Sequence, residues 1–201
     1  VSGRFIVLEG GEGSGKSTQA RELARRLRAL GHRVCETREP GGTEVGGDIR
    51  RALLHTDVAL DPHAELLLLL ADRAQHVAEV VEPRVTAGDI VVCDRFAPSS
   101  LTYQGVARGI GVEMVVQLSR WAARNREPDV VVVLDVPDEI AEARVAAERD
   151  RLERAGAEFH AKVRAAYRDL AADFGWVVLD AQGTPEEVAG RVWEAVERVL
   201  P

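Results

Sequence analysis

Residues 5–17 read Phe5-Ile6-Val7-Leu8-Glu9-Gly10-Gly11-Glu12-Gly13-Ser14-Gly15-Lys16-Ser17, and the reading of this stretch decides the fold. Phe5 to Leu8 is a short apolar run of the kind that makes a buried strand. Gly10 to Ser17 fits the phosphate-loop pattern G-x-x-x-x-G-K-[ST]. Behind it, Ala20, Leu23, Ala24, Leu27 and Leu30 recur at helical spacing, and Gly31 stops that helix. A strand that enters a glycine-rich turn and leaves as a helix aims backbone N–H groups and the positive helix end at one point. Such a concavity binds polyphosphate, with the Lys16 ammonium reaching the outer phosphates and the Ser17 hydroxyl available to Mg²⁺. Glycine permits positive φ and removes Cβ atoms that would block the approach. Gly10, Gly11, Glu12, Gly13, Ser14, Gly15, Lys16, Ser17 and Thr18 are therefore expected to hold the phosphates of a nucleoside triphosphate.

Downstream of this unit, strand and helix patterns alternate. Val34–Thr37, Ile90–Cys93, Val130–Leu134 and Trp176–Leu179 read as four further strands. Helices are predicted near 43–54, from the cap Asp61-Pro62 to about Gly88, over 112–124, after Pro137, over 159–173, and from the capping box Thr184-Pro185-Glu186-Glu187 onward. Continuously apolar strands separated by helices predict an α/β fold: a five-stranded parallel sheet covered by helices on both faces, in one domain spanning residues 1–201. Ligands on such sheets sit beyond the carboxyl ends of the strands.

Composition narrows the class. The chain has 201 residues, 46% hydrophobic and 29% charged, which suits a globular domain with a core that needs no staples. A net charge of −7 argues against nonspecific binding to nucleic acid or to an anionic membrane. Cys35 and Cys93 each lie in a β-branched run, so both read as buried strand residues rather than a disulfide or metal pair. The longest leucine run, Leu66 to Leu70, is far short of the roughly 20 residues a membrane span needs. Val1-Ser2-Gly3-Arg4 leaves no room for a signal peptide before the first strand, so a reducing cytoplasm is the expected location.

The polar residues that follow each strand should form the site: Glu9 and the phosphate loop, Arg38-Glu39-Pro40-Gly41-Gly42-Thr43, and Asp94-Arg95. A carboxylate ending an apolar strand beside a phosphate loop suits Mg²⁺, which makes Asp94 with Ser17 the candidate metal residues. Arg95 beside it can fork onto a phosphate. Asp135 also ends a strand, but Val136-Pro137-Asp138 brings no basic partner, so it is expected to terminate the strand and help start a helix. A plain ATPase would place a second carboxylate where Arg95 stands, and a GTPase would need an Asn-Lys-x-Asp segment that the chain lacks. Arg38, Arg73 and Arg95 near strand ends, with Arg144, Arg149, Arg151 and Arg154 downstream, suit two phosphate-bearing substrates instead. Phosphoryl transfer is favoured over hydrolysis.

Taken together, Phe5 to Gly10, Gly13 to Ser17, Arg38 to Thr43, Asp72-Arg73-Ala74, Asp94-Arg95-Phe96, Tyr103-Gln104-Gly105, Asp150-Arg151-Leu152-Glu153 and Phe159-His160 to Tyr167 resemble bacterial thymidylate kinase. The likeness runs through nearly the whole chain. It implies the architecture of the phosphate-loop nucleoside monophosphate kinases, with a short arginine-rich lid over about 144–156. It also implies ATP and Mg²⁺, transfer of the γ-phosphate to dTMP for dTTP synthesis, and a homodimer. By the same resemblance Glu12 meets the sugar hydroxyl, Arg38 and Arg95 grip the acceptor phosphate, and Asp94 serves the metal and orients Arg95. Pro40 matches a family proline preceded by an unusual turn. Arg73, Ser99, Ser100 and Gln104 would read the base, with Tyr103 beneath the sugar. The phosphate loop holds no arginine, so the transition-state cation is assigned to the lid, to Arg149 and Arg151, with Arg144 as a further candidate. Asp180-Ala181-Gln182-Gly183 is expected beside adenine.

Two positions depart from the family pattern. Leu69 stands where a phenylalanine commonly stacks on the base, a loss of about 1 kcal/mol of ring–ring attraction. Ala97-Pro98 replaces a more polar pair and restrains the segment that carries Ser99 and Ser100. At this level two alternatives stand beside dTMP phosphorylation: a kinase for another deoxynucleoside monophosphate, and a nucleotide-gated binding module without turnover.

Overall fold

The computed structural model describes residues 3–56, 58–144 and 156–201. Five strands, β1 (Arg4–Glu9), β2 (Val34–Arg38), β3 (Ile90–Asp94), β4 (Val130–Asp135) and β5 (Val177–Asp180), form one parallel sheet in the order β2-β3-β1-β4-β5. Because β1 is central and both of its faces are covered, its side chains feed two separate cores. Ile6 and Leu8 pack with helix α1 (Lys16–Ala29) and α9 (Pro185–Val196) on one face. Phe5 and Val7 join Phe96, Tyr103, Val163 and Tyr167 on the other. This division follows from the period of two along a strand.

The remaining helices are α2 (Glu44–Leu54), α3 (Pro62–His76), α4 (Glu82–Thr86), α5 (Ala97–Ser100), α6 (Val112–Ala122), α7 (Asp138–Arg144) and α8 (Ala157–Phe174). The two caps legible in the sequence form as expected, Asp61 accepting from His63 N and Thr184 with Glu187 making a reciprocal capping box, and Thr43 Oγ1, accepting from Gly46 N, adds a third. The single helix predicted from Pro62 to about Gly88 is instead interrupted by a π-helical turn over Val77–Val81. Pro83 lies just beyond; it lacks an N–H and its ring crowds the preceding turn, and the wider turn accommodates it without ending the run. A second π-helical stretch, Leu101–Ala107, continues α5 and carries Tyr103 and Gln104. Cys93 is buried as expected, whereas Cys35 is only half-buried because β2 is an edge strand.

Parallel register sets Leu8 beside Asp94 and Asp94 beside Arg38, so three strands end together. Connections leave β1 toward β2 on one side and β4 lies on the other, which puts the crevice of a doubly wound sheet at the end of β1.

Candidate active site

Gly15 caps α1 in the left-handed conformation, φ 92°, with no side-chain acceptor for the first-turn N–H groups and no acidic residue in that turn. Those donors are thus left for an anion. Glycine is required in the loop first by the protein's own backbone: a Cβ on Gly10 would stand 2.4 Å from Leu134 O, and one on Gly13 would stand 2.2 Å from Ala141 O. The Lys16 ammonium folds into the loop, donating to Gly11 O at 2.6 Å and Ser14 Oγ at 3.3 Å. Burial, reinforced by the Arg95 charge and opposed by Glu12 and Asp94, pulls its pKa down to about 8.

In front of the loop lies a cavity of about 350 Å³. Its lining holds five cations (Lys16, Arg38, Arg50, Arg73 and Arg95) against three carboxylates (Glu12, Glu39 and Asp94), a positive excess in an acidic chain. Glu12, Pro40, Leu69, Ser99, Ser100, Tyr103 and Gln104 also line it, so the described acceptor-site residues foreseen from the sequence converge here. The Glu39–Pro40 peptide is cis. Arg38 is exposed, and it has no side-chain hydrogen bond or ion pair among the described residues, which leaves its guanidinium available to an anion. Arg50, which no sequence motif singles out, donates to Pro40 O at 2.9 Å and lines the same cavity.

Arg95 is the best-anchored cation. Its φ of 73° is unusual for a residue with a side chain, and the conformation is held by Arg95 N donating to Leu8 O at 3.0 Å. The guanidinium donates to Glu12 Oε1 at 2.7 Å, Ser99 Oγ at 3.1 Å, Gly10 O at 3.3 Å and Tyr103 Oη at 3.4 Å. The expectation that Asp94 orients Arg95 is therefore corrected. Glu12 does so, because positive φ turns the arginine side chain back over the phosphate loop. Burial works to raise the Glu12 carboxyl, but the charges of Arg95, Lys16 and His160 outweigh it and hold the pKa at about 2.

Behind Arg95 stands Glu9, fully buried; the sequence places it among the strand-end polar residues of the site without assigning it a specific role. It accepts from Phe96 N and Ser99 N through Oε1, and from Ser99 Oγ and Tyr167 Oη through Oε2. Burial raises its pKa; the Arg95 charge and these donors pull the other way. Ser99 is thus tied into a network under Arg95, with Ala97 and Pro98 forming the first turn of α5. Arg73, buried on α3, donates to Glu39 Oε2 at 2.9 Å and to Ser100 Oγ and Ser119 Oγ at 3.1 Å. His76 steadies Glu39 from the other side through Nδ1 at 2.8 Å. Glu39, His76 and Ser119 were legible only as a strand-end acid and helix residues at ordinary spacing.

Asp94 Oδ2 accepts from Ser17 Oγ at 2.5 Å, while its Oδ1 is buried without a protein partner. A hydroxyl and a carboxylate with one orphaned oxygen, both hard donors, fit a divalent cation that takes its other ligands from phosphate and water. No group of three or more His, Cys, Asp or Glu side chains placed to hold a metal ion occurs among the described residues. Asp135 does end β4, but it acquires a basic partner that its local sequence lacks: Arg168 of α8 donates to it at 3.1 Å. Arg144 donates to Ala181 O at 3.4 Å, placing the end of α7 beside the 180–183 loop. Arg149, Arg151 and Arg154 lie outside the described residues.

A sequence-family model described as thymidylate kinase matches residues 8–192. Among curated proteins, the chain is 49% identical over 199 residues to a thymidylate kinase of Synechococcus sp. (strain JA-2-3B'a(2-13)), covering 98% of this chain and 96% of that one. It is 48% identical over 194 residues to a thymidylate kinase of Leifsonia xyli subsp. xyli, covering 94% and 92%. A third similar protein, a thymidylate kinase of Halothermothrix orenii, is 43% identical over 205 residues, covering 100% and 99%.

Proposed function

The chain belongs to the thymidylate kinase family, and from that premise we propose that it transfers the γ-phosphoryl group of ATP to dTMP, giving dTDP and ADP. The observation that carries the reading is one cavity with two cation sets: Lys16 in the phosphate loop, and Arg38 and Arg95 from the ends of two other strands. A switch that only bound a nucleoside triphosphate would have no use for the second set. In the proposed reaction the loop N–H groups and Lys16 hold the ATP phosphates, while Arg95, fixed by Glu12, and Arg38 hold the phosphate of dTMP in line. Tyr103 lies beneath the sugar, and Glu12 receives a sugar hydroxyl alongside Arg95. Arg73 and Gln104 meet the base, with Ser99 and Ser100 bracing the wall behind it. Mg²⁺, held by Ser17 and Asp94, would neutralise charge on the phosphate oxygens when bound. Arg149 and Arg151, in a lid over about 144–156 of a single 1–201 domain, supply cations to the transition state. ADP formation from ATP and Mg²⁺ that depends on added dTMP tests the reading; consumption indifferent to every nucleoside monophosphate would leave a binding module.

Leu69 covers the base face of the cavity without an aromatic ring. Leu69→Phe is expected to lower the KM for dTMP by about 5-fold, the equivalent of ~1 kcal/mol of stacking. An unchanged or higher KM would show that this pocket compensates for leucine in another way.

The protein is further proposed to act in the cytoplasm as a homodimer. No helix among the described residues is long and apolar enough to cross a membrane, and the −7 net charge gives nucleic acid no reason to bind. The dimer reading rests on apolar residues left exposed on three helices packed side by side: Val45 on α2, Leu67 on α3, and Met114 and Trp121 on one face of α6. Trp121, 78% exposed, is the largest of them. Trp121→Glu is expected to convert a dimer into a monomer in sedimentation at micromolar concentration; a monomeric parent protein would remove the dimer.

A further inference from the structure

Gln104 is fixed from behind. It lines the cavity, is 1% exposed, and donates from Nε2 to Glu65 Oε1 at 2.8 Å, while its own Oε1 has no partner in the protein. Glu65 is fully buried on α3 and receives Arg108 at 3.3 Å through both of its oxygens. The Arg108 guanidinium in turn rests 4.6 Å from the centre of the Phe159 ring. A carboxylate clamped by arginine accepts hydrogen bonds and donates none. The amide must therefore turn its NH₂ toward Glu65, and the carbonyl oxygen is the end left for a ligand. The reverse rotamer would set oxygen against carboxylate.

Four residues before Gln104, Ser100 holds Arg73, whose guanidinium offers only donors. This wall thus presents one acceptor next to donors. A base edge with a ring N–H beside a carbonyl, as in thymine, matches both. A cytosine edge, with a ring nitrogen acceptor beside an amine, mismatches both. We propose that Glu65, clamped by Arg108, is a positioning residue that holds the Gln104 amide oxygen toward the acceptor base and so selects a base bearing a ring N–H. The inference rests on the dTMP reading of the cavity and adds the groups that set its base choice. Sites that hydrogen-bond a substrate group reject analogues that leave their own polar atoms unpaired.

The test is steady-state kinetics with dTMP and 5-methyl-dCMP, which share sugar, phosphate and methyl group and differ only on the base edge. Glu65→Gln keeps the shape but offers an NH₂ to the Gln104 oxygen, so the amide is free to reverse. The ratio of kcat/KM for dTMP over 5-methyl-dCMP is expected to fall by ~10-fold or more, chiefly through a higher KM for dTMP, with kcat within a few fold. Glu65→Asp, which keeps the acceptor, is expected to retain most of the preference. A merely structural Glu65 would depress both acceptors alike; an unchanged ratio in Glu65→Gln overturns the proposal. Should that variant not fold, Arg108→Met, on a part-buried residue outside the cavity lining, lifts the clamp while leaving the Glu65 carboxylate and the Gln104 amide in place, and decides the matter by the same ratio. A wild-type enzyme with no preference for dTMP overturns this inference together with the dTMP reading. A wild-type preference that survives both substitutions overturns the inference alone.

Discussion

Replacing Lys16 by methionine is expected to lower kcat about 10³-fold while the circular dichroism spectrum and melting profile stay close to those of the parent. The magnitude follows from removing a buried charge aimed where negative charge is redistributed, which in other sites costs two to three orders of magnitude. The fold should tolerate the change because, among the described residues, the ammonium hydrogen-bonds only to Gly11 O and Ser14 Oγ. Burial pulls the Lys16 pKa down to about 8, so the fold itself gains little from this charge. The same shift has a pH signature. The protonated lysine is the form that holds phosphate, and it is lost as pH rises through about 8. The KM for ATP is therefore expected to climb above that pH, and a flat profile to pH 10 would contradict the placement of Lys16 on the phosphates.

The second large effect is expected at Arg95. Arg95→Lys keeps the charge and loses the planar fork, which in this protein engages Glu12, Ser99, Gly10 and Tyr103 from one guanidinium. A single ammonium has three donors at one point and cannot reach all four of these partners and present a planar pair of N–H groups to an acceptor phosphate as well. kcat/KM for dTMP is expected to fall ~10²-fold or more, with the KM for ATP within a few fold, because the loss lies on the acceptor side. Equal losses for both substrates would place Arg95 on the ATP phosphates instead. Glu12 is expected to remain ionised in the parent across the usable pH range, since the charges around it hold its pKa at about 2.

What the sequence revealed and what it hid have a common physical basis. Strands β1, β3 and β4 were legible because their residues are apolar without interruption, as burial on both faces requires. The phosphate loop was legible because its constraint is local: a strand, a turn of glycines and a helix with an open N-terminus. The convergence of Arg38, Arg73, Arg95 and Gln104 on one cavity was foreseeable from strand ends and from the family resemblance. Their supports were not. Glu9, Glu39, Glu65 and His76 lie far in sequence from the groups they hold: a strand-end position brings Glu9 and Glu39 to the site but does not reveal the distant serine or arginine each meets, and Glu65 and His76 read as ordinary helix residues. Asp94 and Arg95 show the same limit at close range. Adjacent residues suggested a pair, yet a positive φ at Arg95 sent its side chain to Glu12, and adjacency carries no information about that torsion. Likewise Asp135 found Arg168, 33 residues away.

The measurement that bears most directly on the account is initial-rate ADP production from ATP and Mg²⁺ with dTMP, dUMP, dCMP and dGMP as separate acceptors. The account predicts a strong preference for dTMP, with dCMP and dGMP far behind. A preference for another nucleoside monophosphate would keep the phosphoryl-transfer cavity but contradict the base-side assignment. No acceptor-dependent ADP at all would contradict the central claim that the two cation sets hold two phosphate-bearing substrates.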